Sequence, residues 1–440
     1  MGIDISLEQI KKYKNEYNKN PENKLIEKAI VKEGLKKACL NKNVIEENKM
    51  EFNIELPDAK KLDQKGSFRC WMFGGINMIK RNVADNLNID YKDIDLSTNY
   101  IAFFDRFEKS NTIYENIIKL ENIEQEYILS ERIVERGVKE TGYYEWFASI
   151  VNKYGIIPNE YYPNSFESDE VETTTIIVAE KIKKDVSKLI QAKKAGKTTE
   201  ELRNQKEQFL QENFELLCKI YGEPVTEFDF EYTDKTGQKH TYHNMTPLKF
   251  KNKFLTIDLD EFVSVADYDM FNKTYNNVYS VKYEENVYGK SSPFFLNIPI
   301  TEIKELVIKQ LKDGIPVFFG ALEKKYTNYE FGVFDKRVYS YDKMLGLESL
   351  TRREAYDFGE LCFSHVMSFT GVQVENGKSV RWKIEDSYKM DYPKNGTYVM
   401  NDNFFDEFVV IVAVNKKYLS NEQLELLNKP KIKTPVEDVY

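Results

Sequence analysis

Gln64-Lys65-Gly66-Ser67-Phe68-Arg69-Cys70-Trp71, with the apolar residues that follow it, decides how this chain folds. From Asp63 to Arg69 every residue except Phe68 is small, polar or charged, as in a loop. Trp71, Met72, Phe73, Ile76 and Ile79 then recur at the spacing of a buried helix. Cys70 therefore stands where loop becomes helix. A thiol there feels the positive end of the helix dipole, which favours thiolate. The bland alternative is a buried apolar filler, because free cysteine is among the most buried residue types. Gln64 offers a neutral NH2 donor upstream of the thiol. A side-chain amide and the backbone N–H of a nucleophile can together hold an oxyanion.

A thiolate nucleophile needs an imidazole from elsewhere in the fold, as proton donor to the leaving group. Only His240, His243 and His365 are available. His240 and His243 have an H-x-x-H spacing, but they flank a predicted hairpin with no third ligand nearby, so no metal site is read from them. His365 opens an apolar strand, Ser364-His365-Val366-Met367 onward. Further on, Val380, Trp382, Ile384 and Asp386 share one face of a strand, with Arg381, Lys383 and Glu385 on the other. The face with Trp and Ile should be buried, which puts a carboxylate inside, where it needs a partner. His365 Nδ1–H would suit it, and a turn-capping role for Asp386 is the alternative.

Outward from these segments the chain divides by pattern. Met50, Phe52, Ile54 and Leu56 alternate with polar residues as a half-buried strand would, and Pro57-Asp58 ends it. Thr198 and Glu201 have capping-box spacing after Gly196, and Leu210, Phe214, Leu217 and Tyr221 form a stripe that Gly222 and Pro224 stop. Residues 176–221 thus read as a helical hairpin. Its first arm is lysine-rich (Lys181 to Lys197), which reads as a solvated face or as a contact patch. Tyr232 to Tyr242, with Asp234-Lys235-Thr236-Gly237 at its centre, reads as a hairpin. Val317 to Gly320, Val366 to Val374, Val380 to Ile384, Gly396 to Met400 and Phe408 to Val414 are short apolar runs between turn residues. A helical first half followed by a mostly antiparallel sheet or barrel makes the fold class α+β.

Composition narrows the function. The 440 residues are 41% hydrophobic and 31% charged, which excludes a disordered chain, and a net charge of −9 argues against a nucleic-acid coat. Four scattered cysteines form no CxxC, so neither a disulfide framework nor a zinc ribbon is expected. No signal peptide is read at the N-terminus, and Phe408–Val414 is too short to span a bilayer. The expectation is a cytoplasmic protein without a membrane partner.

The motifs together resemble the bleomycin hydrolase and aminopeptidase C family of papain-like cysteine peptidases. Gln64 to Trp71 resembles its nucleophile motif, with the Arg-Cys-Trp core. Ser364 to Val372 resembles its histidine strand, and Trp382-Lys383-Ile384-Glu385-Asp386-Ser387 its third catalytic segment. Tyr154 to Pro158, Tyr221 to Pro224, Thr246-Pro247-Leu248, Gly314 to Gly320 and Phe404 to Glu407 resemble further landmarks in matching order. The resemblance implies two lobes, helical and β-barrel. Residues 1–175 would be the N-terminal segment and helical lobe, 176–221 an inserted hairpin, 222–430 the barrel lobe, and 431–440 a C-terminal arm. It implies an aminopeptidase without cofactor or metal, acting on peptide substrates as a homohexamer. Gln64 would be the oxyanion donor, Cys70 the nucleophile, His365 the general acid/base and Asp386 its orienter. Gly142 would bind substrate backbone, and the arm ending at Tyr440 would engage the free amine.

Several positions depart from the family. Asp386 stands where the family has Asn, Tyr388-Lys389 where it has Trp-Gly, Phe68 where it has Gly, and Thr141-Gly142-Tyr143-Tyr144 where it has Gly-Gly-Gln-Trp. Bulk at Phe68 is expected to crowd the oxyanion region, and loss of the Trp to thin the shield over the imidazole. Two other functions compete: a catalytically impaired peptide-binding relative, and an endopeptidase or acyl transferase using a Cys-His-Asp triad.

Overall fold

The helix expected after Arg69 runs Cys70–Leu87 in the computed structural model, which describes residues 4–121, 127–290, 292–388 and 391–435. Trp71, Met72, Ile76 and Ile79 are wholly buried, and the helix is buried nearly all round, its Asn77, Lys80 and Arg81 included, because it lies between two layers. On one side it meets the helices Thr98–Lys119 and Tyr144–Tyr154. On the other it meets the strands Val317–Ala321 and His365–Glu375. Gly74 permits that second approach: a Cβ there would sit 2.7 Å from Val366 Cγ1.

Among the described residues, twelve strands form one mixed sheet. Its centre is antiparallel and runs Phe262–Ala266, Val409–Asn415, Val317–Ala321, His365–Glu375, Lys378–Glu385, Thr397–Asn401. Phe294–Asn297 pairs parallel to Phe262–Ala266 at one flank, and Val333–Phe334 parallel to Thr397–Asn401 at the other. Both faces of the centre are covered. Val366 packs with the Cys70 helix, while Met367 and Phe369 face the second core with Trp382 and Ile384.

That double cover corrects the expectation for the segment before Asp386. Lys383 and Glu385 are buried too, because the Cys70 helix and the chain before it lie on their face. Their charges are paired there. Arg81 Nη2 donates to Glu385 at 2.6 Å, and Lys383 reaches Glu55 and Asp58 at 2.6 and 2.8 Å. A second correction concerns Met50–Leu56, where only Ile54–Glu55 pairs as strand. The Asn53 side chain takes both backbone groups of Val374, at 2.8 and 2.9 Å, and replaces the ladder at that end.

The helical hairpin comprises Glu172–Lys194 and Thr199–Tyr221, so it begins earlier than expected. The Thr198–Glu201 capping box and the Gly222 stop are both formed. Part of the lysine stripe is internal: Lys181 pairs with Asp185 and Glu212, and Lys193 bonds the carbonyls of Ile118 and Leu120. The hairpin centred on 234–237 is formed by Phe228–Thr233 and Lys239–Met245. Phe408 closes the helix Asp402–Phe408, and the last core strand starts at Val409.

Candidate active site

The loop before the nucleophile turns twice through the left-handed region, at Lys65 (φ +47°) and Phe68 (φ +54°). That conformation costs a side-chain-bearing residue about 1–2 kcal/mol, which glycine would not incur. The Phe68 ring is 64% exposed. Phe68 is therefore not packed into the core of either layer. Among the described residues no side chain caps the Cys70 helix, and Met72 N–H donates to the Arg69 carbonyl at 2.8 Å, which closes its first turn.

Gln64 is 5% exposed, and its backbone N–H donates to the Ser387 carbonyl at 2.8 Å. Its carbonyl accepts from Ser67 N–H at 3.0 Å, which closes the loop on itself. The loop in front of Cys70 is thus tied to the residue after Asp386.

His365 opens its strand beside Ala321 and is 6% exposed. Its Nε2 lies 2.7 Å from Asp386 Oδ1, and the Cys70 thiol is near enough to favour its charged form. The expected use of Nδ1 toward the carboxylate is therefore corrected. The strand start presents Nε2, not Nδ1, to Asp386. Burial opposes the charged imidazole, but the Asp386 carboxylate and the Cys70 sulfur outweigh it and hold its pKa well above the ordinary value.

Asp386 is 2% exposed and sits inside, on the face read from the sequence. Its Oδ1 also accepts from Tyr388 N–H at 3.0 Å, while Oδ2 is buried without a hydrogen bond among the described residues. The Tyr388 ring stands 5.9 Å from the imidazole, edge to face. An aromatic cover is therefore kept by Tyr388. Lys389 lies outside the described residues.

Gly142 is buried, and the space a side chain would need is occupied by the Trp71 indole. It holds the start of the Tyr144–Tyr154 helix against the nucleophile helix. Tyr440 lies outside the described residues. His240 and His243 bond Asp234 and Asp229 of their own hairpin, at 2.9 and 3.1 Å. Burial pushes the thiols of Cys39, Cys218 and Cys362 up, which makes them poorer nucleophiles.

Pattern reading missed three features of this site. Gly74 sets the distance between the helix and the histidine strand. Glu323 is a buried acid whose pKa is raised by burial, opposed by the attraction of His365. Arg69, the residue before the thiol, donates to Glu140, Tyr221 and the Ser168 carbonyl. Each depends on contacts remote in sequence; only Arg69, beside the cysteine, carried a local hint.

Residues 4–439 match the Peptidase C1-like family. Aminopeptidase C of Lactobacillus delbrueckii subsp. lactis is 32% identical over 391 residues, 88% of this chain and 86% of that protein. Aminopeptidase E of Lactobacillus helveticus is 29% identical and covers 100% of this chain and 99% of its own. The crystal structure of PepW from Lactobacillus rhamnosis superposes with a TM-score of 0.95 at 29% identity, over 100% of this chain and 99% of that one.

Proposed function

The chain belongs to the Peptidase C1-like family, and from that premise we propose that it hydrolyses the N-terminal residue of peptides through a thioester on Cys70. It is a cysteine aminopeptidase, as its aminopeptidase C relatives are named. The observation that carries the mechanism is the His365 ring held between Cys70 and Asp386.

In this reading Cys70 Sγ attacks the peptide carbonyl carbon. The oxyanion is received by the Gln64 amide and the Cys70 backbone N–H. Imidazolium His365 gives its proton to the departing amine, and the C–N bond breaks. Water then attacks the thioester as neutral His365 takes its proton, and the carboxylic acid leaves as the thiolate is restored. Asp386 fixes the ring by its bond to Nε2 and stabilises the imidazolium.

The finer fold reading, a papain-like pair of lobes, is supported by the helix-on-sheet meeting of Cys70 and His365. The free cysteines support a reducing compartment, the cytoplasm. The homohexamer and an amine-binding C-terminal arm rest on the family resemblance. Light scattering tests the first, and truncation after Pro435 the second: loss of the arm should admit N-blocked substrates.

A panel of fluorogenic aminoacyl amides, with and without an N-terminal block, tests the function. Free-amino amides should be cleaved, and Cys70→Ala should abolish turnover. Unchanged hydrolysis by Cys70→Ala would end the thioester reading. Preference for blocked substrates would replace the aminopeptidase by an endopeptidase.

A further inference from the structure

Both neighbours of the nucleophile are fixed by one residue. Arg69, the residue before Cys70, is 2% exposed, and its guanidinium donates to the Glu140 carboxylate from Nε at 3.2 Å and from Nη2 at 3.3 Å. Trp71, the residue after it, donates from Nε1 to the Glu140 carbonyl at 2.7 Å. The same carboxylate also receives Arg106 from the helix Thr98–Lys119, and Thr175 Oγ1 from the helical hairpin at 3.4 Å. Arg69 Nη2 further donates to Tyr221 Oη at 3.0 Å, at the other end of that hairpin. Its Nη1 lies 3.4 Å from the Ser168 carbonyl.

Buried carboxylates survive only when paired, and this one has two guanidinium partners. Burial opposes its charge, but Arg106 and Arg69 outweigh that cost and hold the carboxyl far below the usual carboxylate range. Glu140 is ionised throughout the working range. A bidentate guanidinium–carboxylate pair also fixes direction as well as distance. The two residues after Glu140 are Thr141 and Gly142, and Gly142 lies against the Trp71 indole. The main chain leading to the Tyr144–Tyr154 helix and the first turn of the Cys70 helix therefore share one anchor.

The geometry assigns Glu140 a role as a positioning residue: it sets the direction of the Cys70 thiol toward His365, acting through Arg69 and Trp71. It touches neither substrate nor the reacting atoms. The inference rests on the thioester reading of Cys70, so its test uses one readout that needs no peptide substrate. That readout is the second-order rate of Cys70 alkylation by iodoacetamide, corrected with the Cys70→Ala protein. The other readout is kcat per thiol titrated by a thiol-directed epoxide, measured with KM on a free-amino amide.

Glu140→Gln keeps the shape and the carbonyl bond to Trp71 but removes the anion. Alkylation rate and kcat per titrated site should both fall roughly ten- to a hundredfold, the cost of a misdirected reacting group, while KM changes less than about threefold. Glu140→Asp should recover part of the loss. A variant with fewer titratable sites but wild-type kcat per site would show a purely structural role and overturn the proposal. If Glu140→Gln does not fold, Tyr221→Phe decides: it removes only one Arg69 bond and should lower both rates by roughly two- to fivefold. Unchanged rates in that variant would overturn the proposal equally. Absence of amide turnover in the wild-type protein would count against the function alone, because alkylation still reports the thiol.

Discussion

Gln64 donates its backbone N–H to the Ser387 carbonyl at 2.8 Å, so the loop that precedes the nucleophile and the segment that carries Asp386 form one unit. In the proposed mechanism, a displaced Gln64 would misplace the oxyanion donor. Gln64→Ala leaves this backbone bond intact and removes only the amide. We expect kcat to fall about a hundredfold or more with KM nearly unchanged, read by steady-state kinetics on a free-amino amide. A wild-type kcat would show that Gln64 takes no part.

Asp386→Asn keeps an acceptor for His365 Nε2 and removes the negative charge. Most of the turnover should survive, since a neutral amide can orient the ring. The pH profile should change, because the raised pKa of His365 owes much to that charge. Activity that needs imidazolium is lost as pH rises through the folded-state pKa, so lowering it brings the alkaline limb of kcat/KM down. A clear displacement of that limb toward lower pH is expected. Collapse of kcat by several orders of magnitude would give the carboxylate another task.

Glu145 is buried near Ser264, and desolvation pushes its carboxyl up to about 7 from an ordinary 4.5, with Ser264 giving partial relief. The folded protein thus holds a proton that the unfolded chain releases near 4.5, and stability declines as pH rises from there to about 7. Glu145→Gln removes that penalty. Thermal melts should show the variant more stable at pH 8, by on the order of 2 kcal/mol, and nearly equal to wild type at pH 5. Equal melting at both pH values would rule the effect out.

Gly74 is where the nucleophile helix meets the histidine strand, and an added Cβ would press on Val366 and Phe318. Gly74→Val should push the helix off the strand, destabilise the fold by about 1–3 kcal/mol and separate Cys70 from His365. Circular dichroism melts and alkylation of Cys70 would register both effects. Full activity at an unchanged melting temperature would mean that the contact yields freely.

Much of this was legible in residue order. Cys70 at a helix start follows from polar loop residues succeeded by helix-spaced apolar ones, and Asp386 inside follows from sharing a face with Trp382 and Ile384. Period alone failed where both faces of a strand are covered: Lys383 and Glu385 look solvent-facing, yet lie beneath the Cys70 helix with paired charges. It failed again at Asn53, whose side chain ended a strand that the alternation extended.

The sequence by itself determined which side chains could do the chemistry and on which kind of element each sits, because capping, periodicity and turn composition act over a few neighbouring residues. Only tertiary structure decided which nitrogen of His365 meets Asp386 and that Glu140 holds both sides of Cys70. Those are distances between segments far apart in the chain, set by how closely helix and sheet pack, and no local pattern records them.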